Sequence, residues 1–313
     1  MTDQVRIGFS AAGSVASMSF ANFLDGLGFV VVGHDSSNRV LVNPFLNVAI
    51  ISPTVGRPEY KCFLNDFLQN QCDLYIPFLD QELNICIQLI EAQPILAQKM
   101  LMCSELAIRV CNDKFSLKSW AQELKIKTVP LAASVPAFVK PREASGGKQS
   151  LIIRKQQILD ALLAEPMFLE DYIVEEYIDG DLLSVDAVWD GTSELINLFC
   201  RQRSNTSGVS SLSSSIDSEP IRSLVSAQIA KLGSSLGFHG VCSVQFMLRN
   251  SELYLLEVNP RMGGSAYHSH LLGSSIITSY FEMMLGKKFQ QIEQFHPASP
   301  NKEIARFYSD ILT

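Results

Sequence analysis

Short apolar runs and segments of mixed polarity alternate through the first third of the chain. Residues 5–9, 29–35 and 73–77 are mostly apolar and of strand length, which is typical of parallel strands buried on both faces. A small-residue turn at 11–14 leads into a helix that reaches about Leu27. This alternation predicts a doubly wound α/β unit, which we expect to end near residue 110.

The turn after the first strand argues against dinucleotide binding by this unit. It contains a single glycine, Gly13, whereas the NAD-binding fingerprint requires three glycines around the pyrophosphate. We therefore do not expect NAD.

Two strand-like runs near the end of the chain flank the turn-forming pair Asn250-Ser251 and predict a β-hairpin. Glu257 and Asn259 are two residues apart, so their side chains lie on one face of the strand. Gln245 joins that face only if the connecting loop has an odd number of residues. Three oxygen-bearing side chains on one wall, with Arg261 just beyond, would suit Mg²⁺. An ordinary edge hairpin whose polar face meets water is an equal alternative.

Two earlier segments carry features of a nucleotide site. Lys140 lies in a strand-like segment that is followed by a small-residue loop containing Ser145, Gly146 and Gly147. Glycines let backbone N–H groups approach phosphates closely, and the lysine supplies a positive charge nearby. A second strand-like segment, 172–176, runs into an extended hinge whose backbone is suited to bind the edge of an adenine.

The order of these motifs resembles that of the ATP-grasp superfamily, in particular its carbamoyl-phosphate-synthase-large-subunit-like members and the pyrrolysine-pathway ligases. The resemblance covers nearly the whole chain, and its most specific part is the Glu-x-Asn-Pro-Arg sequence at 257–261. It implies an α/β fold with an N-terminal doubly wound pre-ATP-grasp domain over 1–110. A two-part α+β ATP-grasp domain would follow over 111–313, with a small lid at about 128–175.

The resemblance also implies a role for each motif. The residues that would bind ATP are Lys114, Lys140, Ser145, Gly146, Gly147, Glu175, Glu176 and Ile178. Those that would hold Mg²⁺, or Mn²⁺ in its place, are Gln245, Glu257 and Asn259. The catalytic residues would be Arg261, Arg203 and Lys140, and substrate contacts would come from Asp80, Arg201, Gly263, Gly264 and Ser265.

Several of these residues also have a purely structural interpretation. Asp80 is placed to cap a helix, which we favour, although the two roles are compatible. Lys114 could equally be a solvated lysine at a helix start. Arg201 and Arg203 share a face of one predicted strand, where they would either fork onto a phosphate or carboxylate or stand exposed beside a Ser-rich loop.

One position departs from the resemblance. Many relatives have a glutamate that helps to hold the ribose or the substrate where this chain has Leu182. Asp181 is one residue away and would substitute only from the other side of the pleat. The ribose contacts are therefore the least certain part of the expected site.

Composition and charge exclude several other classes of protein. The 313 residues are 47% apolar and 18% charged, with a net charge of −7 and no Lys/Arg run, so nucleic acid is not an expected partner. No apolar run approaches membrane-spanning length, and the start lacks a signal-peptide pattern. The seven cysteines show no Cys-x-x-Cys spacing, which favours a reducing, cytoplasmic setting. His268 and His270 lack a third ligand of their kind, so zinc is not expected.

Together these features predict an ATP-dependent carboxylate–amine ligase. A small-molecule carboxylate would attack the γ-phosphate to give an acyl phosphate, which an amine then displaces. One alternative is a bicarbonate-activating subunit of the carbamoyl-phosphate-synthase type, and another is a nucleotide-binding regulator without catalysis. Homodimers are common among similar proteins, but the sequence does not indicate the oligomeric state.

Overall fold

A computed structural model describes residues 4–143, 149–206, 209–216, 218–286 and 303–305. These residues form three β-sheets with helices packed against them. The predicted phosphate loop residues Ser145, Gly146 and Gly147 lie outside the described residues.

The first sheet has four parallel strands in the order β3-β2-β1-β4. They are β1 (Arg6–Phe9), β2 (Val30–Asp35), β3 (Val48–Ile51) and β4 (Leu74–Ile76). Helices α1 (Val15–Gly26), α2 (Glu59–Asn70) and α3 (Asp80–Ala92) connect or follow them. The parallel pairing that the apolar runs predicted is confirmed.

The second sheet has six strands in the order β12-β11-β8-β9-β10-β13, and their pairing is antiparallel. They are β8 (Asp181–Trp189), β9 (Leu195–Thr206), β10 (Val209–Ser215), β11 (Gly240–Arg249), β12 (Glu252–Asn259) and β13 (Glu303–Ala305). We call this the central sheet.

The two faces of the central sheet are covered differently. One face packs in an apolar core with α4 (Glu105–Asn112), α5 (Lys114–Glu123) and α8 (Glu219–Leu236). This core already includes Cys103 and Ala107, ahead of the boundary expected near 110. At one end, the opposite face packs against α1, α9 (Ala266–Leu271) and α10 (Ile276–Leu285). The rest of that face carries the polar residues described below.

The third sheet is small and antiparallel, in the order β6-β5-β7. Its strands are β5 (Ala137–Pro141), β6 (Leu151–Ile153) and β7 (Tyr172–Glu176), with helices α6 (Gln156–Leu163) and α7 (Pro166–Asp171) between the last two. A separate apolar cluster holds this unit together, and it occupies most of the segment where we expected a lid.

Candidate active site

A row of polar side chains, which we call the polar wall, crosses one face of the central sheet. Glu257 on β12 pairs with Gln245 on β11, Gln245 pairs with Ser184 on β8, and Ser184 pairs with Arg201 on β9. Directly opposed residues share a face of a sheet. Asn259 lies two residues beyond Glu257 and pairs with Ser243, so it extends the same wall.

A β-bulge at Leu256 is what brings Glu257 onto this wall. Before the bulge, Leu253 and Leu255 point into the apolar core, and after it Val258 does. A regular strand would alternate without a break and would carry residue 257 into the core with Leu253 and Leu255. The extra residue reverses the alternation, and Glu257 consequently faces away from the core.

The condition that we set for Gln245, a hairpin loop with an odd number of residues, is wrong: Gln245 joins the face although the loop is even. Arg249 pairs with Glu252, so the loop contains only Asn250 and Ser251, both with positive φ (51° and 62°). That geometry matches the tight two-residue turns that suit hairpins. With this loop alone Gln245 would have faced Leu256, and the bulge provides the one-residue shift that the loop does not.

Lys140 lies on β5 of the small third sheet, and its side chain reaches the central sheet. Its Nζ lies 3.4 Å from the carbonyl oxygen of Leu256 and 2.7 Å from Oε2 of Glu175. The other carboxylate oxygen of Glu175 lies 2.8 Å from Nζ of Lys118, which also donates to the carbonyl of Val129. All three charged side chains are buried, so Glu175 joins two lysines in a low-dielectric setting. We expected Glu175 to bind ATP, but its carboxylate pairs with these two lysines.

Lys114 is the first residue of α5 and is buried. Asp113 caps this helix, since its side chain accepts a hydrogen bond from the N–H of Phe115. Burial lowers the pKa of the Lys114 ammonium, Glu257 opposes that shift, and Lys140 adds to it. Because only 8% of Lys114 is exposed, the structure contradicts its interpretation as a solvated lysine.

Arg203 lies on the same face of β9 as Arg201, two residues further on. Its Nη2 donates to Oε1 of Gln245 at 2.9 Å. Burial, together with the positive charge of Arg201, lowers the pKa of Arg203 to about 10, although the negative charges of Glu257 and Asp186 oppose the shift. Arg203 therefore lies beside the carboxamide and carboxylate of the polar wall.

Asp80 does not cap its helix, contrary to the interpretation we favoured. Leu79 occupies the N-cap position of α3, and the Glu82 carboxylate accepts from the N–H of Leu79. Asp80 instead accepts a hydrogen bond from Nη2 of Arg261 at 2.5 Å. Arg261 also donates to the carbonyl of Met262 and, at 3.4 Å, to Oδ1 of Asn259. This contact ties the parallel sheet unit to the end of the polar wall.

Arg201 is fully buried, so it does not stand open to a substrate as we expected. It donates to four side chains, which are those of Ser269 (2.9 Å), Ser265 (2.7 Å), Asp186 (3.3 Å) and Ser213 (3.4 Å). Ser269 in turn donates to Asp186 at 2.6 Å. Ser265, another expected substrate contact, is part of this network.

The two glycines after Arg261 differ in their surroundings. A Cβ at Gly263 would meet the Ser243 hydroxyl at 2.7 Å and the Asp186 carboxylate at 3.2 Å. Side chains of the sheet, rather than a ligand, therefore take up the space that we expected Gly263 to open. A Cβ at Gly264 would make ordinary contact with Ala16 at 3.5 Å. His268 and His270 are both buried.

The remaining predicted positions lie at the hinge and on β8. Glu176 is exposed and Ile178 is buried at the end of β7, and the Glu176 N–H donates to the carbonyl of Pro130. Leu182 pairs with Met247 on the polar-wall face. Asp181 points to the other face and accepts from Gln202 at 2.8 Å, so it does not replace the missing glutamate on the wall.

Two residues central to this site, Lys118 and Asp186, were not predicted from the sequence. Lys118 lies within an amphipathic helix and Asp186 within an apolar strand. Asp186 interrupts that strand on the face that carries Ser184, and this break in the apolar run is a signal that could have identified it.

Comparison with known proteins gives a family match over part of the chain. The family model of the ATP-grasp domain matches residues 111–265, so these residues are an ATP-grasp domain. The matched range contains the small third sheet, the central strands with the polar wall, and Arg261.

Curated relatives of the chain are carbamoyl phosphate synthases. The C-terminal section of the large chain from Aquifex aeolicus is 28% identical over 188 residues, which is 56% of this chain and 35% of that relative. The large chain from Caldanaerobacter subterraneus is 26% identical over 219 residues, covering 62% of this chain and 20% of that relative. This chain thus spans about a third or less of these relatives.

Solved ATP-grasp structures share the fold of nearly the whole chain. N5-carboxyaminoimidazole synthetase from Staphylococcus aureus, complexed with ADP, has a TM-score of 0.71 at 18% identity and covers 91% of this chain and 78% of its own. L-amino acid ligase from Bacillus licheniformis has a TM-score of 0.67 at 14% identity and covers 91% and 75%. The chain therefore shares its fold with these two proteins.

The described residues contain neither a membrane-spanning helix nor a cluster of the usual charged and sulfur metal ligands. No helix in the described ranges combines the length and apolar character needed to cross a bilayer. Across the same residues, no three His, Cys, Asp or Glu side chains gather as a metal-binding group. The polar wall is a different kind of donor set, with one carboxylate and two carboxamides.

Proposed function

We propose that this chain is an ATP-dependent ligase that joins a carboxylate to an amine and releases ADP and phosphate, acting on amino-acid-like substrates. The observation that carries the proposal is the bulge at Leu256. The bulge turns Glu257 onto the wall with Gln245 and Asn259, and the carbonyl oxygen of Leu256 lies 3.4 Å from Nζ of Lys140. Oxygen donors and a cation suited to bind phosphate therefore lie close together.

The chemistry of the wall fits Mg²⁺. This ion prefers oxygen ligands and is commonly held by one or two carboxylates together with substrate phosphates. Among the described residues, no hydrogen bond or ion pair engages the Glu257 carboxylate, so it is free to act as the anionic ligand. The carboxamide oxygens of Gln245 and Asn259 would complete the protein's contribution, with Mn²⁺ as a possible substitute for the metal.

The charge around the polar wall also fits a nucleoside triphosphate with its metal. Five basic side chains lie on or near the wall, which are Lys114, Lys118, Lys140, Arg203 and Arg261, against three acidic ones, which are Asp80, Glu175 and Glu257. The excess of about two positive charges, with a divalent cation, offsets a fully ionised triphosphate.

The side chains would work by positioning and by neutralising charge. When bound, Mg–ATP would supply the γ-phosphoryl group that activates the substrate carboxylate as an acyl phosphate, and the amine would then attack the acyl carbon and release phosphate. Lys114 and Lys140 would hold the phosphates, and Arg261 and Arg203 would offset the charge that develops during transfer. The backbone between Glu176 and Ile178 would bind the adenine. No covalent enzyme intermediate is needed.

The test is a screen for ADP release with amino acids offered in pairs, in the presence of Mg²⁺ or Mn²⁺. A ligase releases ADP only when both the carboxylate and the amine are present, and mass spectrometry identifies the amide product. ADP release that does not depend on any amine would contradict the proposal.

Similarity to carbamoyl phosphate synthase favours bicarbonate activation as a second candidate. ADP release stimulated by bicarbonate without any amino acid would support it. A third candidate is a non-catalytic regulator. It is favoured by Leu182, which lies on the wall face at a position where many proteins of the resembled family have a glutamate. That role predicts ADP binding without turnover.

A further inference from the structure

We propose that Lys118 is a positioning residue for the nucleotide: by sharing the Glu175 carboxylate with Lys140, it leaves the Lys140 charge available to the phosphates. This inference rests on the proposed function, because it assumes that Lys140 binds a nucleotide. It adds a residue from α5 that lies outside the motifs from which the site was predicted.

The three charged groups form a linear chain with the Glu175 carboxylate in the middle. The Glu175 carboxylate lies 2.8 Å from Nζ of Lys118 through one oxygen and 2.7 Å from Nζ of Lys140 through the other. Lys118 is held in turn by the carbonyl of Val129. Exposed fractions of the three charged side chains are 6–9%, so water provides little screening.

Lys118 decides how much of the Lys140 charge is already neutralised. With Lys118 present, the three groups together carry one net positive charge. Without it, Glu175 and Lys140 form a neutral pair, and the whole carboxylate charge competes with phosphate for one ammonium. In a buried setting this competition is strong, because charges interact more strongly at low dielectric.

The other contact of Lys140 is too weak to take over this function. Its Nζ lies 3.4 Å from the Leu256 carbonyl, beyond the usual distance for a strong hydrogen bond. Glu175 therefore largely fixes the position of the Lys140 ammonium. Lys118 neutralises part of the Glu175 charge and so weakens the attraction between Glu175 and Lys140. Lys118 belongs to α5, whereas Glu175 and Lys140 belong to the lid sheet.

The test uses calorimetric titration with Mg–ADP, which needs no knowledge of the other substrates. Lys118→Gln keeps a hydrogen-bond donor but removes the charge, and we expect about tenfold weaker binding, the scale of one charge-assisted contact. Lys118→Met should show the same loss, and thermal melting checks that each variant is folded. Lys127→Gln is the matched control. It removes a lysine whose pair with Glu252 is exposed and away from the cleft, and it should bind as the wild type does.

The double variant separates charge sharing from a purely structural role. In Lys118→Gln with Glu175→Gln, the competing carboxylate is gone and Lys140 again carries one positive charge. We expect this variant to bind Mg–ADP more tightly than Lys118→Gln alone. A double variant that binds as weakly as the single one, or more weakly, would overturn the inference.

The same titrations keep this inference distinct from the proposed function. If the wild type binds Mg–ADP and Lys118→Gln binds equally well, the role of Lys118 is refuted while the ligase proposal stands. If the wild type does not bind Mg–ADP at all, both fail.

Discussion

Replacing Glu257 by Gln tests the metal site with little disturbance of the fold. The side chain is half-buried on the polar wall, and no described residue forms a hydrogen bond or ion pair with its carboxylate. A carboxamide has nearly the same shape, so the bulge at Leu256 and the pairing with Gln245 should persist. We expect the free energy of unfolding to change by less than about 0.5 kcal/mol.

The effect on turnover should be large, because Glu257 is the one carboxylate among the three oxygen donors of the wall. Two unit charges about 4 Å apart interact by about 4 kcal/mol at the dielectric typical of a protein surface. A divalent cation feels twice that attraction, and hydration of the freed ion offsets part of the loss. A net cost of about 3–4 kcal/mol in the transition state corresponds to a decrease in kcat of about 10²–10³-fold.

A second consequence follows from the position of Glu257 beside Lys114. The carboxylate opposes the lowering of the Lys114 pKa, so its removal should lower that pKa further. Nucleotide binding by the variant should then weaken at a lower pH than binding by the wild type.

The assay is coupled ADP release at saturating ATP, repeated over a range of Mg²⁺ and Mn²⁺ concentrations, with thermal melting in parallel. Glu252→Gln is the control, because Glu252 lies at the other end of the same strand and is 52% exposed. It should leave kcat unchanged. Full turnover by Glu257→Gln, with an unaltered requirement for the metal, would refute the reasoning.

Three further predictions concern the groups around this wall. Asp80→Asn removes the negative partner of Arg261 and should lower kcat about tenfold in the ADP-release assay without unfolding the protein. Arg201→Met leaves Asp186 buried without its charge partner, so urea unfolding should show a loss of about 3–5 kcal/mol. Burial lowers the pKa of Lys114, and Mg–ADP affinity should therefore fall as the pH rises through that lowered value, at a lower pH than for an ordinary lysine. Replacing Lys114 by Arg should move this fall to higher pH.

Each of these predictions has a result that contradicts it. Unchanged kcat in Asp80→Asn would mean that the ion pair does not position Arg261. Wild-type stability in Arg201→Met would show that the buried network contributes no net stability. Affinity that stays constant to the ordinary lysine pKa would place Lys114 outside the nucleotide site.

Features of local origin can be read directly from the sequence. Apolar residues recur along α8 at helical spacing, and the helix ends at Gly237, which adopts a left-handed conformation (φ 71°). Helix α10 likewise ends with a glycine C-cap, Gly286. These features depend on side-chain spacing and on the backbone freedom of glycine, which a sequence displays directly.

The hairpin shows where local reasoning stops. Alternation and the Asn250-Ser251 turn predict a regular ladder, yet Glu257 reaches the wall only because Leu256 is bulged. The adjacent leucines at 255 and 256, followed by a charged residue, interrupt the period of two and hint at such a bulge. Which residue is extruded depends on the core beneath Leu255 and Val258 and on the pairing of β11.

The sequence by itself determined the order of strands and helices. It also determined the oxygen-bearing side chains at 257 and 259 and the lysine on β5. Spacing along the chain is enough for these, because they depend on neighbours a few residues away. The tertiary structure alone decided which charges meet. Asp80 and Arg261 are 181 residues apart, and Lys118 and Glu175 come from a helix and a separate sheet. Such contacts follow from how whole elements pack, and no local pattern encodes them.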